Sequence, residues 1–271
     1  MSKKLDFEIK MPSKEEMDKI RKKRHENARI NPNCMSNWLP LVKDLEINQP
    51  ETILIENSLE EYEEEFFKIF DGKNEKNLKL DSLSKKIKNK AKKIGYPLFM
   101  KTGTFSAKHS WKNTCFVLKE EDIFKHYLAI LHEQYCVGAA SSHFLALREV
   151  INVETDLHAF SDMPITKERR YFFKEGKVVG HHPYWPPEAL ENYNKDVDWK
   201  NKISKINKED KKEVLFLKEK SLLVGEKLSK LYPNWSIDWL QDKKGNWYLI
   251  DVAVMEQSFI WKDYKDLKKY L

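Results

Sequence analysis

Cysteine is nearly missing from this 271-residue sequence. The three present, Cys34, Cys115 and Cys136, are odd in number and lack metal-type spacing. That excludes a disulfide framework and a legible zinc site, and it suits a reducing compartment. Long apolar runs are missing too: the chain opens Met1-Ser2-Lys3-Lys4 and passes straight into charged residues. Neither a secretory leader nor a membrane-spanning helix is expected, and cytoplasmic residence follows. No Gly-x-x-x-x-Gly-Lys-Ser/Thr and no Gly-x-Gly-x-x-Gly run occurs, which removes the P-loop and dinucleotide-binding readings. Arginine is scarce, with six residues against 43 lysines, and three of the six, Arg148, Arg169 and Arg170, fall in the central strands.

What is present is ordinary for a globular chain of this length: 41% hydrophobic and 34% charged residues leave enough apolar material for a core. The net charge of +6 favours an anionic partner, but lysines mixed with 43 acids also make a plain solvated surface.

Ser13-Lys14-Glu15-Glu16 reads as a capping box that opens a polar surface helix over 13–31. Ile53-Leu54-Ile55 follows a Pro50 turn as a short strand. The spacing of Tyr62, Phe66, Phe67 and Phe70 predicts a helix over 58–70 with one buried face, and 83–94 predicts a basic helix ending before Gly95. A loop is expected at 72–79. From Tyr96 the texture becomes strand-like: 97–101 and 114–118 flank a loop, 143–153 forms a second apolar strand, and 168–173 and 177–180 flank Lys174-Glu175-Gly176 as a hairpin. The helix over 211–231 offers Leu215, Leu222, Leu223 and Leu228 for a buried stripe. A last hairpin joins 235–240 to 247–254.

Three features could carry chemistry. Lys101 and the loop Thr102 to Ser110, with Ser106 and Lys108, offer ammonium and N–H groups to phosphates. Strand alternation puts Arg170 and Phe172 on one face, with a guanidinium suited to bidentate phosphate recognition; a salt bridge to Glu168 or Glu149 is the alternative. Asp238 and Asp251 lie in paired apolar strands that could bring their carboxylates together, and such a pair calls for a cation or a basic group. His109 in the loop could approach phosphate. His181-His182 with Pro183-Tyr184-Trp185 could line an acceptor pocket, although a packed aromatic loop explains it as well. Trp111 and Trp239 read as core.

In this order the segments resemble the ATP-grasp superfamily. Pro97 to Lys101 with Ser106-Ala107-Lys108 looks like its phosphate strand and loop, and Arg148-Glu149-Val150-Ile151 looks like its hinge strand. Glu168 to Val179 is similar to its Glu-x-Arg-x-Phe strand. The resemblance implies an α+β fold of two lobes with antiparallel sheets enclosing a nucleotide cleft, and ATP with Mg2+ as cofactors. It implies Lys101, Ser106, Lys108, Glu149, Ile151, Glu154 and Arg170 at the nucleotide, Arg170 and Lys108 in catalysis, and Asp238 and Asp251 at the metal. The corresponding division is 1–95 as an N-terminal lobe, 96–150 as the small lobe and 151–271 as the C-terminal lobe. Within the superfamily, Ser106 to Trp111 and Leu249-Ile250-Asp251 look most like the cell-division-cycle branch, which assembles a translation initiation factor.

One position departs from the pattern: Ala253 stands where an Asn is usual two residues after Asp251, and Glu256 is the nearest substitute. The resemblance implies an ATP-dependent ligase that activates a carboxylate as an acyl phosphate for an amine-type nucleophile. The alternative is an ATP-binding assembly chaperone without steady turnover. The acceptor, small molecule or protein, is not legible. Nucleic acid and membrane are not expected partners, and the Lys-x-Asp-Gly of adenylating nucleic-acid ligases is absent, since Thr102-Gly103-Thr104 follows Lys101.

Overall fold

The structure, a computed structural model, describes residues 12–73, 77–193 and 196–261 and the backbone of 265–266. The opening Met1-Ser2-Lys3-Lys4 and the centre of the 72–79 loop lie outside the described residues.

Helix α1 (Lys14–Ile30) starts at the expected capping box: Glu16 N donates to Ser13 Oγ at 3.2 Å and Ser13 N to Glu16 Oε2 at 2.7 Å. Only His25 and Ala28 of this helix are buried. It is held instead by charge, with Arg24 2.5 Å from Glu63 and Arg29 3.2 Å from Glu60. Helix α2 (Met35–Val42) is followed by β1 (Thr52–Glu56), α3 (Leu59–Phe70), α4 (Leu78–Ile94) and β2 (Leu98–Thr102). A short 3-10 turn at Lys108–Asn113 interrupts the expected loop before β3 (Phe116–Val117); α5 (Ile123–Cys136) and β4 (Phe144–Glu149) come next. Strands β1, β4, β2 and β3 form one antiparallel sheet in that order.

Alternation gives this small sheet two different faces. Leu98, Met100, Leu145 and Leu147 point into a core closed by α3, α4 and α5, where Phe66, Ile87, Ala91, Tyr127 and Ile130 are fully buried. Phe99, Lys101, Ala146 and Arg148 occupy the other face, in the register Phe99↔Arg148 and Lys101↔Ala146.

The chain then makes the two-residue strands β5 (His158–Ala159) and β6 (Met163–Pro164), and the hairpin β7 (Glu168–Lys174) and β8 (Lys177–Pro183). The turn between β7 and β8 has Glu175 and Gly176 at φ +48° and +79°, a geometry that suits the strand twist and calls for glycine. After α6 (Pro187–Leu190), α7 (Trp199–Ile206) and α8 (Lys211–Leu228) come β9 (Asn234–Gln241), β10 (Trp247–Val254) and β11 (Lys265–Asp266). The larger antiparallel sheet runs β10-β9-β7-β8-β11.

One face of the large sheet, with Tyr171, Phe173, Trp235, Ile237 and Trp239, packs on α8 and α2. Of the stripe expected on α8, Leu228 is buried and Leu222 is half-buried against the core, but Leu215 and Leu223 are exposed, and the remaining buried positions are Val214, Leu217, Ser221, Val224 and Gly225. The phase is set by the sheet: Trp239 Nε1 donates to Ser221 Oγ at 2.8 Å, and a Cβ on Gly225 would lie 2.2 Å from the Phe173 ring. Burying Leu217, Val224 and Leu228 contributes roughly 1.5–3 kcal/mol each. The α+β architecture is thus built on two main antiparallel sheets, each backed by helices, with their polar faces turned toward each other, and a separate two-stranded pair of β5 and β6. Among the described residues no helix is long and apolar enough to cross a membrane.

Candidate functional site

The site is built on one rung of the large sheet. Asp251 on β10 is paired with Asp238 on β9, Asp238 with Arg170 on β7, and Arg170 with His182 on β8. Residues in register share a face, so two carboxylates, a guanidinium and an imidazole form a polar row across four strands. A register shift between Leu249 and Asp251 marks a bulge in β10, a device that re-aims side chains.

Each carboxylate has its own counterion. Arg170 donates to Asp238 twice, Nε to Oδ1 and Nη2 to Oδ2, both at 2.7 Å. Burial works against the Arg170 charge, but Asp238 outweighs it and raises the pKa of the guanidinium further. Lys101 reaches across from the small sheet and places Nζ 2.6 Å from Asp251 Oδ2. Arg170 is therefore salt-bridged, but to Asp238 and not to the Glu168 or Glu149 weighed from the sequence.

The two sheets enclose a cleft with ≈ 900 Å³ of empty space including its open mouth. Phe99, Ile151, Val153, Met163 and Leu240 give it apolar walls, and Lys101, Ser106, Lys108, Glu149, Asp238 and Asp251 give it polar ones. Seven of the nine residues expected at the site thus line one space. The other two do not: among the described residues, the lining omits Arg170, whose guanidinium is engaged by Asp238, and Glu154, which is exposed.

Lys108 is held where loop and hairpin meet. Its Nζ donates to Tyr184 Oη at 2.7 Å and lies 3.9 Å from the Tyr184 ring centroid and 4.7 Å from that of Trp185. Burial favours the neutral amine, but the Tyr184 oxygen, Glu168 and Asp238 together raise its pKa and keep the charge. Glu168 is buried beneath it and accepts from Trp185 Nε1 at 3.0 Å. Burial raises its pKa, with Lys108, Trp185 and Arg170 opposing. Both shifts come from burial set against close charged partners at the wall of the cleft. Tyr184, read from the sequence as part of a segment that could line a pocket, does line the cleft, and Glu168, read as the start of the Glu-x-Arg-x-Phe-like strand, lies two residues before Arg170 on the same strand face and lines it as well.

His109 stacks on Phe160, with centroids 4.4 Å apart, rather than lining the cleft, and burial beside Lys108 lowers its pKa. His181 and His182 are buried in β8, Trp185 is core and Tyr184 faces the cleft, so the aromatic segment is divided between packing and site. Trp239 is core as expected, whereas Trp111 is half-buried, stacks on Phe116 and lines the cleft.

Among the described residues there is no group of three or more His, Cys, Asp or Glu able to hold a metal. Ala253 faces Ser236, and Glu256 accepts from Asn234 Nδ2 at 2.6 Å on an exposed turn. The corner therefore provides two carboxylates and no third protein ligand. That donor set does not suit a bare ion, but it suits magnesium that arrives with phosphate oxygens.

No protein-family model and no curated protein matches the sequence. Among solved structures, a C-terminally truncated Cdc123 from Schizosaccharomyces pombe superposes with a TM-score of 0.50 at 14% identity, over 86% of this chain and 85% of that one. A second Cdc123 structure from the same organism gives 0.51 at 14% identity over the same shares. D-alanine–D-alanine ligase from Bacillus anthracis, complexed with ATP, aligns at 0.42 and 11% identity over 82% of this chain and 54% of that one. At such identities the likeness is one of fold, and the fold is ATP-grasp-like, shared with Cdc123.

Proposed function

Taking the ATP-grasp-like fold as premise, we propose that the chain binds ATP with magnesium in the cleft between its two sheets. The observation that carries this is the placement of Asp238 and Asp251 opposite one another on the large sheet, with Lys101 and Lys108 within the same cleft. A triphosphate is a ligand that uses both signs at once: the ammonium groups take its oxygens, and the carboxylates take the metal that its oxygens share. The apolar walls suit a base, with Glu149 and Ile151 at the hinge end. Arg170 then acts through Asp238, which it orients.

Magnesium in such a site would draw charge from the phosphates; the protein groups bind, orient and neutralise. In the ligase reading a substrate carboxylate oxygen attacks the γ-phosphorus, ADP leaves with the bridging oxygen, and an amine displaces phosphate from the acyl phosphate. Lys101 and Lys108 offset the growing negative charge, and no side-chain nucleophile is needed.

A second reading is favoured by Ala253 and by the engagement of Glu256 with Asn234. With two carboxylates and no further donor, the corner supports one metal better than a double clamp, and ATP then serves as a ligand that orders the two sheets for a protein partner. Calorimetric titration of ATP and magnesium into the wild type and Asp251→Asn tests the cleft. Binding that weakens in the variant supports it, and absence of wild-type binding refutes it. ADP release in the same samples separates the ligase from the binding module.

A further inference from the structure

Arg148 sits near the end of β4, paired with Thr52 on one side and Phe99 on the other, and it is the one guanidinium among the described residues that both borders the cleft and has an unused donor. It is 4% exposed. Its Nε donates to Thr52 Oγ1 at 3.1 Å within the small sheet, and its Nη1 reaches over to the carbonyl of Ile250 at 2.5 Å. That carbonyl lies at the β10 bulge, next to Asp251. Nη2 is shielded from solvent and has no hydrogen-bond partner among the described residues. A buried donor left in this condition is costly unless a ligand supplies the acceptor.

We infer that Arg148 is a phosphate-binding residue whose free Nη2 takes an oxygen of the nucleotide phosphate nearest the nucleoside. The inference rests on the ATP reading above and adds a residue and a subsite to it. Two facts fix which phosphate. Arg148 stands in register with Phe99, two rungs nearer the Glu149 to Ile151 hinge than the Lys101 rung and on the same face. Lys101 and Asp251, further along the cleft, then serve the distal phosphates and metal. A guanidinium with two donors already fixed presents its third in one direction, which gives a subsite rather than a diffuse positive field. Burial pulls the Arg148 pKa down to about 10, with Asp251 opposing, so the group stays charged at neutral pH.

The test compares adenosine, AMP and ATP with magnesium by calorimetry in wild type, Arg148→Met, Arg148→Lys and Thr52→Val, with thermal melts on each protein. Arg148→Met is expected to keep adenosine affinity within about twofold and to lose the advantage of AMP over adenosine by at least about tenfold, consistent with a charge-assisted bond. Thr52→Val, which removes the Nε contact together with the bond from Thr52 Oγ1 to the Pro50 carbonyl but leaves Nη2 in place, is expected to keep that advantage. Equal losses for adenosine and AMP would make Arg148 a structural tether and overturn the inference, as would no loss at all. If Arg148→Met melts too low to titrate, the same ratio is read in Arg148→Lys, where an unchanged AMP advantage overturns it. Failure of the wild type to bind any of the three ligands overturns the ATP reading, and this inference with it.

Discussion

Asp251 faces Asp238 across adjacent strands, yet the two are neutralised from different bodies of structure: Asp251 by Lys101 of the small sheet at 2.6 Å, Asp238 by Arg170 of its own sheet through two bonds of 2.7 Å. Two carboxylates so placed would repel without these cations. One pairing stays within a sheet, and the other joins the sheets across the cleft. The second is the one a ligand can exchange.

On the proposed ATP reading, a phosphate would draw the Lys101 ammonium away from Asp251, so magnesium and ATP are expected to bind together far better than either alone. In Lys101→Met the Asp251 carboxylate is released while Asp238 stays with Arg170, and affinity for magnesium without nucleotide is expected to rise by at least about tenfold, the factor that 1.4 kcal/mol of removed competition gives. Titration of magnesium into both proteins checks this, and equal affinities would contradict the exchange.

Arg170→Met is expected to destabilise the fold by about 3 kcal/mol, because it leaves Asp238, only 6% exposed, without its partner. Pairing it with Asp238→Leu should recover most of the loss while removing one of the two facing carboxylates. Urea unfolding of the single and double variants measures both; additive losses would show that the pair does not act as a unit.

Gly225→Ala is expected to cost about 1–3 kcal/mol by overpacking, because its Cβ would meet the Phe173 ring at 2.2 Å. On an exposed helix face the same change would stabilise. Phe173→Leu in the same chain should relieve the clash, so the double variant is expected to unfold at a higher urea concentration than the sum of the two losses predicts.

His182 supplies a pH dependence. Burial, with Arg170 adding to it, lowers the imidazole from 6.5 to about 4, while the backbone at Pro183 and Phe259 and the Asp238 carboxylate oppose; Trp261 stacks on the ring. The unfolded chain binds the proton more tightly, so this stability is complete above about pH 6.5 and is lost as pH falls toward 4. Between pH 8 and pH 5 the loss is about 2 kcal/mol. Denaturation at both values should show that difference in the wild type beyond the change in His182→Gln; parallel behaviour of the two would rule it out.

Much of this was legible. The Ser13 to Glu16 box, the Glu175-Gly176 turn and the facing aspartates follow from patterns within a few residues, and the resemblance read from Lys101 through Asp251 agrees with the fold. The α8 stripe was misphased because leucines were counted by hydropathy alone. Ser221 and Gly225, which no hydrophobic pattern would select, fix the helix against Trp239 and Phe173.

The sequence by itself determined which residues share a strand face and which turn joins two strands, since pleat and turn geometry act between near neighbours. Only the tertiary structure decided which cation each carboxylate receives. Lys101 and Asp251 lie 150 positions apart, and they meet because the apolar face of each sheet docks on its own helices and leaves the polar faces opposed. The same docking left Arg148 with a donor to spare and Glu154 in solvent. No local pattern encodes either outcome, because both depend on how two separately packed sheets come to rest against one another.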